Sequence, residues 1–150
     1  YKGKIMKKIV FVCLGNICRS PMAEFVMKSL TDHYQIESRA TSSWEHGNPI
    51  HKGTQGIFKI HGIDYDVTKS SQQISKDDFE HFDYILGMDE SNVSDLLKMC
   101  PSAYQHKIYP FAEESVPDPW YTGDFEETYN RVLTGCQAWL ARLENETKNG

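Results

Sequence analysis

The apolar positions of this chain alternate between two spacings. Residues 9–13 read Ile-Val-Phe-Val-Cys, an unbroken run after Lys8. A run with no polar side to the pleat is the pattern of a strand buried on both faces. Gly15-Asn16 breaks it. Met22, Phe25, Val26 and Leu30 then recur at helical spacing, which predicts a helix over 21–31. Ser20 is placed to cap that helix and Pro21 to take its first position. A second strand follows near 36–41.

The alternation continues to the end of the chain. A helix is predicted over 51–61, stopped at Gly62. Ser75-Lys76-Asp77-Asp78 reads as a capping-box start with Asp in place of Glu. Residues 84–88 form another buried strand, and 89–99 a helix ended by Cys100-Pro101. Residues 107–109 are a short strand. Residues 113–123 hold two prolines and a glycine and read as an exposed loop. A long helix closes the chain over 125–143, with Tyr129, Val132, Leu133, Cys136, Trp139, Leu140 and Leu143 on its apolar side.

Strand–helix alternation predicts an α/β fold: a three-layer sandwich, with an open four-stranded parallel sheet covered by helices on both faces, Rossmann-like. Ligands of such sheets bind beyond the carboxyl ends of the strands. The first strand ends at Cys13, and the strand at 107–109 leads into the loop holding Asp118. The 150 residues are about one domain's worth. A single domain over 1–150 is therefore expected, with 1–5 set aside as an N-terminal extension ahead of Met6. No internal repeat or linker interrupts it.

Composition narrows the function classes. Hydrophobic residues make up 39% and charged residues 25%, ordinary globular usage. The net charge is −5, and no basic cluster exceeds Lys7-Lys8, so no nucleic-acid partner is expected. No apolar stretch approaches the roughly 18 residues of a membrane span. Gly15-Asn16 and Arg19 cut short the one segment that resembles a signal peptide, so no membrane partner and a cytoplasmic location are expected. Cys13, Cys18, Cys100 and Cys136 match no zinc spacing, and no metal or cofactor is expected.

The stretch Cys13-Leu14-Gly15-Asn16-Ile17-Cys18-Arg19-Ser20 joins a strand to a helix N-terminus. Unpaired amides and the helix dipole make that junction a cradle for an anion. Gly15 and Asn16 both tolerate left-handed backbone angles. A cysteine at the mouth of such a loop is expected to act as the thiolate nucleophile. Arg19 supplies a planar fork for two phosphate oxygens, and Ser20 can donate its hydroxyl to the Cys13 sulfur. A lone Cys ending a strand is more often a packing residue. Here strand, Gly-Asn turn, Arg and Ser-Pro helix start coincide. One carboxyl group can protonate a leaving oxygen and later activate water. Asp118, fixed between Pro117 and Pro119, is the candidate. Trp44, Trp120 and Tyr121 are candidate cleft walls for an aromatic substrate.

Three segments resemble the low-molecular-weight protein tyrosine phosphatases. They are Cys13-Leu-Gly-Asn-Ile-Cys-Arg-Ser-Pro, Phe82-Asp-Tyr-Ile-Leu-Gly-Met-Asp-Glu-Ser-Asn92 and Pro117-Asp-Pro-Trp-Tyr121. The likeness runs through nearly the whole chain from Met6. It implies a phosphotyrosine phosphatase I-like fold and a phosphocysteine intermediate on Cys13. It also implies Arg19 as phosphate binder, Asn16 and Ser20 as loop organisers, and Asp118 as general acid/base. Phosphotyrosine-containing proteins are the implied partners, with a monomer as the expected working form. Family members usually carry two tyrosines after the loop aspartate; here the first position is Trp120. Mammalian members carry a histidine that supports the loop asparagine, and 64–70 contains none, so Thr68 or a neighbouring serine is expected to substitute. His51, His61, His81 and His106 read as surface or core residues. Cys18 is positioned to form a disulfide that blocks Cys13 reversibly.

Related chemistries share this loop. Arsenate reductases resemble the family but need a relay of two further cysteines, which the spacing of Cys100 and Cys136 does not suit. Protein arginine phosphatases resemble it with a threonine where Ile17 stands. A branched apolar side chain fits an aryl phosphate better. A phosphate-binding module without activity would not need the full set of Cys13, Arg19 and Asp118.

Overall fold

The computed structural model describes residues 6–149; the extension read at 1–5 lies outside them. The elements run β1 (Lys8–Cys13), α1 (Arg19–Leu30), β2 (Gln35–Ala40), α2 (Lys52–His61), α3 (Lys76–His81), β3 (Tyr84–Gly87), α4 (Glu90–Met99), β4 (Ile108–Pro110), α5 (Pro119–Thr122) and α6 (Phe125–Asn149). A 3₁₀ turn, Ser102–Lys107, precedes β4. The strands form one parallel sheet in the order β2-β1-β3-β4. This is the predicted four-stranded α/β architecture.

The apolar run of β1 is buried on both faces because it is the central partner of β2 and β3. Ile9, Phe11 and Cys13 face one core with Met22 and Val26 of α1, Phe58 of α2, and Val132 and Trp139 of α6. Val10 and Val12 face the other core with Phe79, Phe82, Ile85 and Leu96. Full burial of each such side chain contributes about 1.5–3 kcal/mol. Phe11 meets Phe111 edge to face, with ring centroids 5.7 Å apart. The Phe111 ring occupies the space a Cβ would need at Gly135, so glycine there lets α6 close on the sheet. Trp139 Nε1 donates to Phe111 O at 2.7 Å, which satisfies its buried N–H.

Local signals set most boundaries. Ser75 and Asp78 make the expected capping box, and Gly62 ends α2 with φ 66°. Asp89 caps α4 in a second capping box, with Asn92. Two expectations change. Ser20 does not cap α1: Cys18 holds the cap position, and Ser20 and Pro21 fall inside the first turn. The Ser20 hydroxyl is engaged by Cys13 and Asn16 instead. Proline is tolerated there because a first-turn N–H has no intrahelical partner. The segment 113–123 is not wholly exposed loop. Val116 and Pro119 are buried, and α5 opens behind Asp118 as its N-cap.

The carboxyl ends of β1, β3 and β4 therefore open onto one rim. β1 runs into the Cys13 loop, β3 into Asp89, and β4 into the segment carrying Asp118.

Candidate active site

The loop from Cys13 to Arg19 is held from outside by its carbonyls. Ser42 N and Oγ both donate to Leu14 O. Ser71 Oγ donates to Gly15 O at 2.7 Å, and His51 N to Ile17 O at 2.9 Å. Thr54 Oγ1 donates to Cys18 O at 3.2 Å. In a planar trans peptide the C=O and N–H point in opposite directions. Carbonyls turned outward leave the following amides turned inward. Asn16 N shows the result directly, donating to Cys13 Sγ at 3.2 Å. Asn16 adopts the left-handed φ of 56° foreseen for the loop. Gly15 does not; its missing Cβ makes room for the Glu45 side chain, 3.3 Å from where that atom would stand.

Cys13 is buried, and Ser20 Oγ lies 3.0 Å from its sulfur. Asn16 Nδ2 donates to Ser20 Oγ at 2.8 Å. The asparagine is in turn held by Lys69 Nζ and Gln72 N, each donating to Asn16 Oδ1 at 3.1 Å. Thr68, one of the expected substitutes for a supporting histidine, uses its hydroxyl on Asp66 Oδ1. The neighbouring Ser71 does support the loop, but through Gly15 O rather than Asn16. Lys69 takes the position at the asparagine.

Arg19, the first residue of α1, reaches across the loop with its side chain 4% exposed. Its Nη1 donates to Asp89 Oδ2 at 2.6 Å and to Val116 O at 3.2 Å. Its Nη2 lies 3.4 Å from Asp118 Oδ2. Burial works against the guanidinium charge, but Cys13, Asp89 and Asp118 outweigh it and raise the arginine above its ordinary value. A buried cation with paired carboxylates avoids the large cost of an uncompensated charge. Asp118 Oδ1 caps α5 by accepting from Trp120 N at 3.0 Å, leaving Oδ2 turned toward Arg19.

A cleft of about 230 Å³ opens over these groups. It is lined by Cys13, Leu14, Gly15, Asn16, Ile17, Cys18 and Arg19, with Asp118, Trp44, Trp120, Tyr121 and Glu45 at its walls. Trp44 is 78% exposed and Tyr121 79%, so both stand as free rim rather than as packed surface. Trp120 meets the His51 ring edge to face at 5.7 Å. His51 is thus more than the surface or core residue expected. Its backbone holds Ile17, its Nδ1 accepts from Gly53 N to cap α2, and its ring stacks on Phe125. Cys18 is buried in the loop; burial, then Cys13 and Asp118, push its thiol up to about 12. Cys13 and Cys18 are both free. Cys100 and Cys136 belong to opposite cores of the sheet.

The geometry gathers the predicted site residues around the Cys13 loop, with Ser20 buried beneath it, and adds Glu45 at the cleft wall, Asp89 beside Arg19 and Lys69 behind the loop. Asp89 stands two residues beyond the carboxyl end of β3, the side of a parallel sheet where ligand-side residues gather, and that position was its available signal.

Residues 8–149 match the family described as low molecular weight phosphotyrosine protein phosphatase. The chain is 39% identical to the low molecular weight protein-tyrosine-phosphatase YfkJ of Bacillus subtilis over 94% of its length and 98% of the relative's. It is 43% identical to PtpA of Staphylococcus aureus, covering 87% and 90%. The crystal structure of SP-PTP, a low molecular weight protein tyrosine phosphatase from Streptococcus pyogenes, superposes with a TM-score of 0.89 at 63% identity, covering 92% of this chain and 93% of that one.

Proposed function

Because this chain belongs to the low molecular weight protein-tyrosine-phosphatases, we propose that it hydrolyses phosphotyrosine in proteins through Cys13, Arg19 and Asp118. Cys13 Sγ attacks phosphorus in line. The S–P bond forms as the bond to the tyrosyl oxygen breaks, and the Asp118 carboxyl gives its proton to that oxygen. Arg19 and the inward loop amides hold the equatorial oxygens, where charge builds in the transition state. Asp118, now a carboxylate, takes a proton from water as the water attacks phosphorus. The S–P bond breaks, and the Ser20 hydroxyl donates to the departing sulfur.

The observation that carries this reading is the meeting of Asp118 Oδ2 with Arg19 Nη2 at 3.4 Å over the Cys13 loop. That contact is long for a charge-assisted bond. An incoming phosphate oxygen replaces it and leaves Asp118 free to handle a proton.

Ile17 and the rim aromatics support an aryl phosphate over phosphoarginine: the loop side chain at that place offers no hydroxyl. Cys100 and Cys136, lying in separate cores, do not support a cysteine relay for arsenate reduction. A monomer acting on phosphotyrosine-containing proteins in the cytoplasm fits an open cleft with exposed tryptophans. The test is turnover of a phosphotyrosine peptide against the matched phosphoarginine peptide. Faster phosphotyrosine hydrolysis is expected; faster phosphoarginine hydrolysis overturns the substrate assignment.

A further inference from the structure

Lys69 lies in the polar stretch between α2 and α3, yet it is half-buried against the back of the Cys13 loop. Its Nζ donates to Asn16 Oδ1 and to Ser38 O, each at 3.1 Å. Glu24 and Lys28 of α1, with Glu37 and Arg39 of β2, are the charged groups around it. Burial is the largest influence on the ammonium and lowers it from the ordinary lysine value, while Glu24 and Glu37 oppose that shift. A lysine drawn out of water at that cost, with two of its hydrogens directed at fixed acceptors, is doing more than solvating a surface.

The bonds around Asn16 leave one consistent assignment. Lys69 Nζ and Gln72 N both donate to Oδ1, so the amide end of the side chain points to Ser20. Nδ2 donates to Ser20 Oγ at 2.8 Å. A hydroxyl that accepts there keeps its single hydrogen for another partner. Cys13 Sγ is 3.0 Å away, closer than the alternative acceptor, Arg39 O, at 3.4 Å. Three donors in series, Lys69 to Asn16 to Ser20, thus point toward the sulfur. Bonds aligned in one sense polarise one another, and the outermost donor carries a full charge. The same two bonds on Oδ1 also hold Asn16 at its left-handed φ of 56°.

We propose that Lys69 is a positioning residue for the reaction: through Asn16 it turns the Ser20 hydroxyl toward Cys13 Sγ and so gives the sulfur a donor that favours its anionic, nucleophilic form. This rests on the reading of Cys13 as the nucleophile.

The test compares the parent with Lys69→Met and Lys69→Gln. The readouts are the rate of Cys13 alkylation by iodoacetamide across the pH range and kcat and KM for p-nitrophenyl phosphate. Cys18, pushed up to about 12, does not compete for the reagent at neutral pH. Lys69→Met is expected to move the alkylation profile to higher pH, lowering the rate about fivefold near pH 6, with kcat falling in parallel and KM nearly unchanged. Lys69→Gln keeps a donor but no charge and is expected to lie between the two. A Lys69→Met profile that overlays the parent's overturns the proposal. So does a loss that is equal at every pH, which marks a structural role only. If Lys69→Met does not fold, Lys69→Gln decides alone: a displaced profile supports the proposal, and a parental one overturns it. Alkylation involves no phosphate ester, so its failure leaves the phosphatase reading intact. A parent protein that alkylates but hydrolyses no aryl phosphate counts against that reading instead.

Discussion

Arg19 Nη1 and Asp89 Oδ2 lie 2.6 Å apart, joining the first residue of α1 to the end of β3. Asp89 serves two structures with its two oxygens: Oδ1 caps α4 through Asn92 N, and Oδ2 holds the guanidinium. Asp118 is built the same way, with Oδ1 capping α5 and Oδ2 facing Arg19. Two helix caps therefore aim the Arg19 guanidinium.

This relationship separates charge from capping. Asp89→Asn keeps an N-cap side chain but loses the anion. It is expected to cost about 1 kcal/mol of stability or less, and to lower kcat/KM for p-nitrophenyl phosphate about tenfold. Weaker competitive inhibition by inorganic phosphate should accompany that loss. Thermal melting and steady-state kinetics check both. Parental kcat/KM would mean that Arg19 is aimed without Asp89.

Asp118→Asn likewise keeps the cap of α5 while removing the proton. Turnover is expected to fall about 100-fold for poor leaving groups such as phosphotyrosine. Aryl phosphates whose phenols are strong acids should lose much less. A series of substituted phenyl phosphates reads this as a steeper dependence on leaving-group acidity. An equal loss across the series would remove the acid role from Asp118.

The rim makes a binding prediction. Trp44 stands free at the edge of the cleft. An aromatic contact is worth roughly 0.5–1.5 kcal/mol, so Trp44→Ala should raise KM for a phosphotyrosine peptide about three- to tenfold with kcat nearly unchanged. A fall in kcat alone would mean that the ring acts on the loop rather than on the substrate.

Much of this site was legible because Cys13, Asn16, Arg19 and Ser20 share one strand–loop–helix segment. The readings of Cys13 as nucleophile and Arg19 as an anion's partner follow from local spacing, whereas the loop-organising role of Asn16 came from the family resemblance. Asp89 was not legible as a partner of Arg19, because the two meet only when the ends of β1 and β3 lie side by side; along the chain it reads only as the start of the helix over 89–99. Lys69 was hidden for a related reason. A lysine in a polar stretch reads as solvated, and only the fold turns its ammonium inward. The Ser20 cap failed in the opposite direction: a sound local preference lost to two hydrogen bonds that the loop makes around Cys13. The fold itself followed from periodicity, since a central parallel strand must be apolar on both faces.

Cys18 gives a redox prediction with a pH sign. Peroxide is expected to oxidise Cys13 to the sulfenic acid, after which the Cys18 sulfur displaces water to form the disulfide. Burial, and then the Asp118 carboxylate, still hold the Cys18 thiol above its ordinary value once Cys13 is oxidised, so ring closure is expected to quicken as pH rises. The parent should recover activity with dithiothreitol after peroxide, and Cys18→Ser should recover less. Equal recovery would remove the protective role.

The proposed mechanism requires phosphate to pass through Cys13. The most direct measurement is rapid acid quench of Asp118→Asn during turnover of an aryl phosphate, followed by mass spectrometry of the proteolysed protein. A phosphoryl group on the peptide carrying Cys13, absent in Cys13→Ser, which should hydrolyse nothing, is the predicted result. Sustained hydrolysis by Cys13→Ser, or turnover by Asp118→Asn with the thiol never phosphorylated, would contradict it.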